Sequence, residues 1–310
     1  MLIEIVIAVI KALVVIQLVF GLAGILGWIE RKGSALIQDR IGANRASIFG
    51  FAGAGLINTM VADPLKFITK EDVIPAGADR LLHWLAPCVN LFPAIVAFAV
   101  IPFGDVLYIG ERAINLQVAP LDIGVLYILA VMSLGVYGVV LGGWASNNRY
   151  SLLGGIRGSA QMISYELPMG LALVAVVMTY GTLDLQAMAR AQGEMLWGFI
   201  PAWGIIYQPL AFLLLLIAGI AESKRVPFDL PEGESELVSG YFTEYSGVKY
   251  LMFFMSDFVE VGVVAALTTT FFFGGWQVPF LTSEGFAFPG GLAIALPNLL
   301  IVLLQIGSFM

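Results

Sequence analysis

Seven stretches of the chain are apolar for long enough to cross a bilayer, and nothing else in the sequence restricts the fold as strongly. They lie near residues 2–29, 82–103, 121–146, 159–181, 199–221, 250–274 and 289–310. A hydrocarbon core about 30 Å thick takes about 20 helical residues. Lipid offers no water to free backbone groups, so such stretches are helices or a closed barrel, and no period-two alternation supports a barrel. Hydrophobic residues fill 59% of 310 positions and charged ones 12%, more apolar surface than a soluble core of this size conceals. The expected fold class is an all-α integral membrane protein, with about seven transmembrane helices in a single bundle over residues 1–310. Leu2 to Trp28 is too long for a cleaved signal and has no basic segment before it, so it reads as a retained first span.

Composition also excludes functions. A net charge of −7 without a basic stripe argues against nucleic acid. One cysteine, Cys88, and one histidine, His83, cannot supply a disulfide framework, a four-cysteine iron–sulfur cluster or bis-histidine haem within this chain. Electrons, if they move here, travel on groups held elsewhere.

Twelve of the fifteen basic residues fall in segments 30–81, 147–158 and 222–249, leaving Lys11, Arg112 and Arg190. The positive-inside rule puts those three segments in the cytoplasm and the N-terminus outside. Phe51 to Ile68 is apolar but interrupted by Asn58, Asp63, Pro64 and Lys66, which suits an amphipathic helix lying in the interface. The loops at 104–120 and 182–199 read as surface turns with short interfacial helices. Trp197, Trp203 and Trp276 fall near span ends, as interfacial aromatics do.

Ala221 to Lys249 departs from the pattern of short connectors. It carries Glu222, Asp229, Glu232, Glu234, Glu236 and Glu244 against Lys224, Arg225 and Lys249. Pro227 and Pro231 stiffen it, and Pro231 is placed to open a short helix with Glu232 and Glu234 in its first turn. Two spans also hold acids at depth. Glu166 stands two residues before Pro168 in the fourth, where the missing backbone donor should loosen the helix. Asp257 and Glu260, three apart in the sixth, share a face. At 1.5 Å per residue Asp257 is roughly 12 Å beyond Lys249. A charge there costs at least about 2.5 kcal/mol, so it should face the bundle and find a partner. Acids clustered in such a setting suit proton or cation handling; a solvated acidic connector with snorkelling acids is the plain alternative.

Four motifs, in order and separated by matching spans, resemble a known family over almost the whole chain: Glu30-Arg31-Lys32 with QDRIGANR; DPLKFITKED; GWASNNRYSLLGGIRGSAQMISYE; and ESKRVPFDLPEGESELVSGYFTEYSG. The family is that of the H-type membrane subunit of respiratory complex I, the proton-pumping NADH:quinone oxidoreductase, counterpart of mitochondrial subunit 1. The resemblance implies a non-redox subunit of the bacterial inner membrane, with quinone (ubiquinone or menaquinone) as substrate and no flavin, haem or iron–sulfur cluster of its own. It implies as partners the peripheral-arm subunits that carry the terminal iron–sulfur cluster, small and antiporter-like membrane subunits, and lipid. By motif, Glu30, Arg31, Arg40, Arg45, Asp63, Lys66, Phe67, Phe228 and Tyr241 would line or support the quinone path. Asp229, Glu232, Glu234, Glu236 and Glu244 would form an acidic coupling loop, with Tyr245 in its return. Glu166, Glu222, Asp257 and Glu260 would relay protons.

Asp257 stands where the family pattern usually has glutamate, and Ser133 where some members carry another. The family continues with a basic loop and a further span, so either a missing C-terminal part beyond Met310 or a second polypeptide that completes the fold is expected. Competing readings are the homologous subunit of a membrane-bound hydrogenase or ferredoxin-dependent complex and a free-standing secondary transporter. The latter should show paired broken helices.

Overall fold

The computed structural model describes residues 2–42, 55–109, 112–196, 200–282, 285–287 and 293–310. Helices α1 (Leu2–Ile37), α2 (Gly55–Thr69) and α3 (Arg80–Ala97) are followed by a hairpin of β1 (Val106–Ile109) and β2 (Arg112–Asn115). Then come α4 (Gly124–Ser133), α5 (Gly135–Ala145), α6 (Arg149–Tyr180) and α7 (Leu185–Ala191). After the two-residue strands β3 (Met195–Leu196) and β4 (Ile200–Pro201) lie α8 (Gly204–Tyr207), α9 (Pro209–Glu222), α10 (Glu234–Leu237) and α11 (Gly247–Phe272). A small sheet of β5 (Leu281–Thr282), β6 (Gly285–Ala287) and β7 (Ala293–Ala295) precedes α12 (Asn298–Phe309).

Among the described residues, five helices are long and apolar enough to cross a membrane: Ile3–Ile37, Arg80–Val100, Gly124–Ala145, Arg149–Tyr180 and Gly247–Phe272. The expected runs at 199–221 and 289–310 instead give the shorter helices α9 and α12. Pro209 is the reason for the first: it has no N–H to continue a helix from before it and takes the N1 position that opens α9. Gly204–Tyr207 makes its own short turn upstream. The run at 121–146 is interrupted at Leu134 between α4 and α5. The basic segment 147–158 is no loop. Asn148 caps α6 by accepting from the Tyr150 N–H, and the helix runs on through Pro168 for 32 residues.

Other expectations also change. Among the described residues the loops at 104–120 and 182–199 carry strands of two β-hairpins, beside the short helix α7. Trp276 is buried in the core, and Trp197 lies outside the described residues.

Helix α11 is the central element, packed against α1, α2, α3, α7, α8 and α9. Its buried face, with Val259, Val263, Leu267 and Phe271, joins Phe98, Leu173 and Leu215 in the main core. Lys11 fastens α1 to the first hairpin: its Nζ donates to the carbonyls of Asn115 and Gln117 at 3.2 and 2.8 Å. A second cluster of Tyr241, Phe242, Tyr245, Phe253, Met162 and Val139 sits under residues 223–246 and holds that segment against α5, α6 and α11.

Candidate functional site

The acidic segment leaves α9 at Glu222 and folds back over the bundle before α11 begins. Gly240 makes the return possible. Its φ is +57°, and a Cβ there would come within 1.8 Å of the Pro231 carbonyl oxygen. Helix α6 answers with Gly154, where a Cβ would meet the Gly240 Cα at 2.7 Å, so two backbones touch with no side chain between them. Tyr241 is thereby driven fully into the second cluster, its ring against Phe253 and its hydroxyl 3.5 Å from Asp257 Oδ1. The expected helix start at Pro231 is displaced: α10 begins at Glu234, with Gly233 as N-cap, and Glu232 precedes it in a turn.

The same return buries Lys224. Its Nζ lies 3.0 Å from Asp257 Oδ1 and 3.0 Å from Glu260 Oε2, the two acids that share a face of α11. Burial alone would lower the Lys224 pKa, but the Asp257 and Glu260 carboxylates override it and hold the ammonium well above the ordinary lysine range. Ser256 Oγ, 3.4 Å from Glu260 Oε1, also reaches the Asn90 carbonyl at 3.0 Å. Glu222 and Glu260 line a cavity of about 10 Å³ with Asn90, Gly135 and Met162, near the smallest volume that admits one water. Glu222 Oε2 and both side-chain polar atoms of Asn90 are buried there without a hydrogen-bond partner among the described residues. Glu166 is engaged by the Ser133 hydroxyl at the break between α4 and α5.

Glu232 lies outside the spans. Burial, reinforced by the carboxylates of Asp257 and Asp229, pushes its pKa up to about 8 against the pull of Lys224 and Arg225. Glu236 pairs with Arg157 at 2.7 Å on the surface, and Glu244 accepts from Asn148 Nδ2 at 2.6 Å. The Phe228 carbonyl and that of Ala221 both accept from Gln161 Nε2 at 2.8 Å, pinning the start of the segment to α6. The side chain of Glu234 lies outside the described residues.

A second feature lies between α1, α2 and α11: an apolar cavity of about 410 Å³ lined by Phe20, Gly21, Gly24, Met60, Phe67 and Met255, among others. Arg31 and Asp63 line it too and pair with each other, Arg31 Nη1 to Asp63 Oδ2 at 2.5 Å. A neighbouring pocket of about 360 Å³ shares Arg31 and Phe67 and adds Lys66, Lys70, Tyr245 and Tyr250. Lys66 stands 4.7 Å from the Phe67 ring centroid. Glu30, next to Arg31, accepts from Arg225 Nη1 at 3.0 Å, and the Arg225 guanidinium lies 4.1 Å from the Phe258 ring centroid. Consecutive cations of one segment thus bond in two directions, Lys224 to the buried acids and Arg225 to the helix that lines the cavity.

Of the residues singled out from sequence, Glu222, Asp257, Glu260 and Tyr241 meet in one cluster; Glu30, Arg31, Asp63, Lys66 and Phe67 gather around the cavity and its neighbour. Arg40 does not join them: it is exposed and donates to Gln38 at 2.7 Å. Arg45 lies outside the described residues. Sequence reasoning passed over Lys224 as a site residue, and also Lys249, which pairs with Asp72 at 2.9 Å and lies 3.3 Å from His83 Nδ1. No local pattern marks either lysine as buried.

The sequence profile of the NADH dehydrogenase family matches residues 10–310. The chain is 49% identical over 271 residues to H subunit 1 of the NADH-quinone oxidoreductase of Geobacter metallireducens, covering 87% of this chain and 78% of that protein. It is 50% identical over 271 residues to H subunit 2 of the same enzyme in Geobacter sulfurreducens, with the same coverage. The corresponding H subunit of Thermomicrobium roseum is 47% identical over 270 residues, 86% of this chain and 77% of that one. With five helices long and apolar enough to cross a membrane among its described residues, the chain belongs to the NADH dehydrogenase family, that of the H subunit of complex I.

Proposed function

We propose that this chain is the membrane subunit through which a proton-translocating NADH:quinone oxidoreductase of a bacterial inner membrane admits quinone and couples its reduction to proton movement. The observation that carries the reading is the apolar cavity between α1, α2 and α11, with one ion pair in its wall. An isoprenoid tail suits the Phe20, Met60 and Met255 surface, and Arg31 offers planar donors to a headgroup carbonyl. A quinone taking two electrons and two protons passes through anionic forms. Negative charge arriving beside Arg31 would compete with Asp63 for the guanidinium and disturb the adjoining Glu30–Arg225 pair. Arg225 shares its backbone with Lys224, so that disturbance reaches Asp257 and Glu260, and across the small cavity Glu222.

In this reading the chain holds no redox group, and the electrons come from an iron–sulfur cluster in a peripheral-arm subunit docked on the cytoplasmic face. That face carries the acidic segment; the N-terminus lies outside. Small and antiporter-like membrane subunits would take the protons onward. The quinone is ubiquinone or menaquinone, since the cavity wall suits either tail.

Filling the cavity tests the reading. A Cβ at Gly21 would meet no described atom within 4 Å, and Gly21 lines the cavity, so Gly21→Leu has room to project into it. The assembled enzyme in membrane vesicles should show a KM for a short-chain quinone raised about tenfold, equivalent to about 1.4 kcal/mol of binding. NADH oxidation by ferricyanide should be unchanged. An unaltered quinone KM would remove the cavity from the path.

A further inference from the structure

Lys224 holds a backbone conformation, φ +55°, that side-chain-bearing residues rarely adopt, and its ammonium is fully buried. A loop lysine ordinarily extends its charge to water. Here it ends between two carboxylates at equal distances of 3.0 Å. Among the described residues, few groups face this trio. Helix α9 contributes Glu222, the loop contributes Glu232 and the Tyr241 hydroxyl, α11 itself contributes Ser256, and α3 contributes the neutral Asn90. Glu166 of α6 adds its negative charge near Glu222. Arg225 is engaged with Glu30 and the Phe258 ring.

Charge counting then decides what the trio can store. Net charge in a water-poor interior is disfavoured by several kcal/mol per ion in the absence of a partner. One ammonium with two ionised carboxylates carries −1; with one proton on the pair the trio is neutral. Two carboxyls without the lysine reach neutrality only when both are protonated.

We propose that Lys224 sets the proton capacity of the Asp257–Glu260 pair at one, acting as a fixed counter-charge and not as a carrier. The inference rests on the reading of these acids as the proton-handling part of the subunit. The step involves protons alone. One carboxyl O–H bond breaks, the trio passes from neutral to −1, and an O–H bond forms on the acceptor, either Glu222 or a water in the adjoining cavity. Lys224 stays protonated throughout and positions the pair.

Three variants of the assembled enzyme in membrane vesicles test this: Lys224→Met, Lys224→Arg, and Lys224→Met combined with Glu260→Gln. Removing the cation should move the ionisation limb of the pH profile for proton pumping upward by about 1–3 units, the effect of losing an opposite charge at this range. The infrared band of protonated carboxyl groups should grow by one acid. Arginine should hold the limb where the native protein has it. The double variant, which loses one cation and one carboxyl together, should return the carboxyl band to its native size and the limb toward its native position. An unmoved limb in Lys224→Met, or a double variant as shifted as the single one, overturns the proposal. Should Lys224→Met fail to assemble, assembly restored by adding Glu260→Gln supports it, and failure of both overturns it. The quinone KM of Gly21→Leu is independent of these outcomes, so loss of one reading leaves the other standing.

Discussion

Glu232 shows how a single half-buried group imprints a pH dependence. Its carboxyl, ordinarily near 4.5, is pushed up to about 8 in the folded protein by burial and the neighbouring carboxylates. Between those values the folded segment binds a proton that the unfolded one releases, so stability falls as pH rises across the window. The seating of residues 223–246 should therefore be intact below about pH 4.5 on this account and weaken as pH climbs through about 8. Glu232→Gln, permanently neutral, should abolish that weakening; hydrogen exchange of the segment at pH 6 and pH 9, values set on either side of the titration, measures it. An exchange difference that persists in the variant would assign the weakening to another group. Asp257 and Glu260 were legible in the sequence because a spacing of three fixes a common helix face whatever surrounds it. Lys224 was not, because its burial depends on a chain reversal completed sixteen residues later at Gly240, and no local rule carries information that far.

At the scale of elements, the contact between α6 and the returning segment is the most exacting. Gly240→Ala must displace the Pro231 carbonyl and occupy an unfavourable φ, so it should cost at least about 1–3 kcal/mol. It should lower the thermal midpoint of the purified enzyme and expose the segment to protease. Gly33→Ala on α1, where a Cβ meets nothing within 4 Å, should be neutral or slightly stabilising through helix propensity. Equal midpoints for the two would mean that the close approach contributes nothing. The long apolar runs gave the order of the helices correctly, since twenty apolar residues leave few alternatives. They could not reveal the break at Leu134 or the late start of α9, because hydropathy is blind to where the backbone hydrogen-bond ladder stops.

For the whole molecule, composition alone announced a membrane protein, and the motifs announced its family; the arrangement of cavity and buried acids needed three dimensions. The proposed orientation is open to a direct check. In a background with Cys88→Ser, a cysteine replacing exposed Ile37 at the end of α1 should react with an impermeant thiol reagent from the cytoplasmic side, and one replacing exposed Tyr108 in the first hairpin from the opposite side. Labelling of both from one side would reverse or break the assigned topology. The adjacent bonds of Lys224 and Arg225 carry a last consequence. Linkage between two sites is reciprocal in binding free energy. If an occupant of the cavity alters how tightly Asp257 and Glu260 hold a proton, then acidifying or alkalising the medium must alter, by the same factor, how tightly the empty enzyme grips that occupant, even with no electrons flowing.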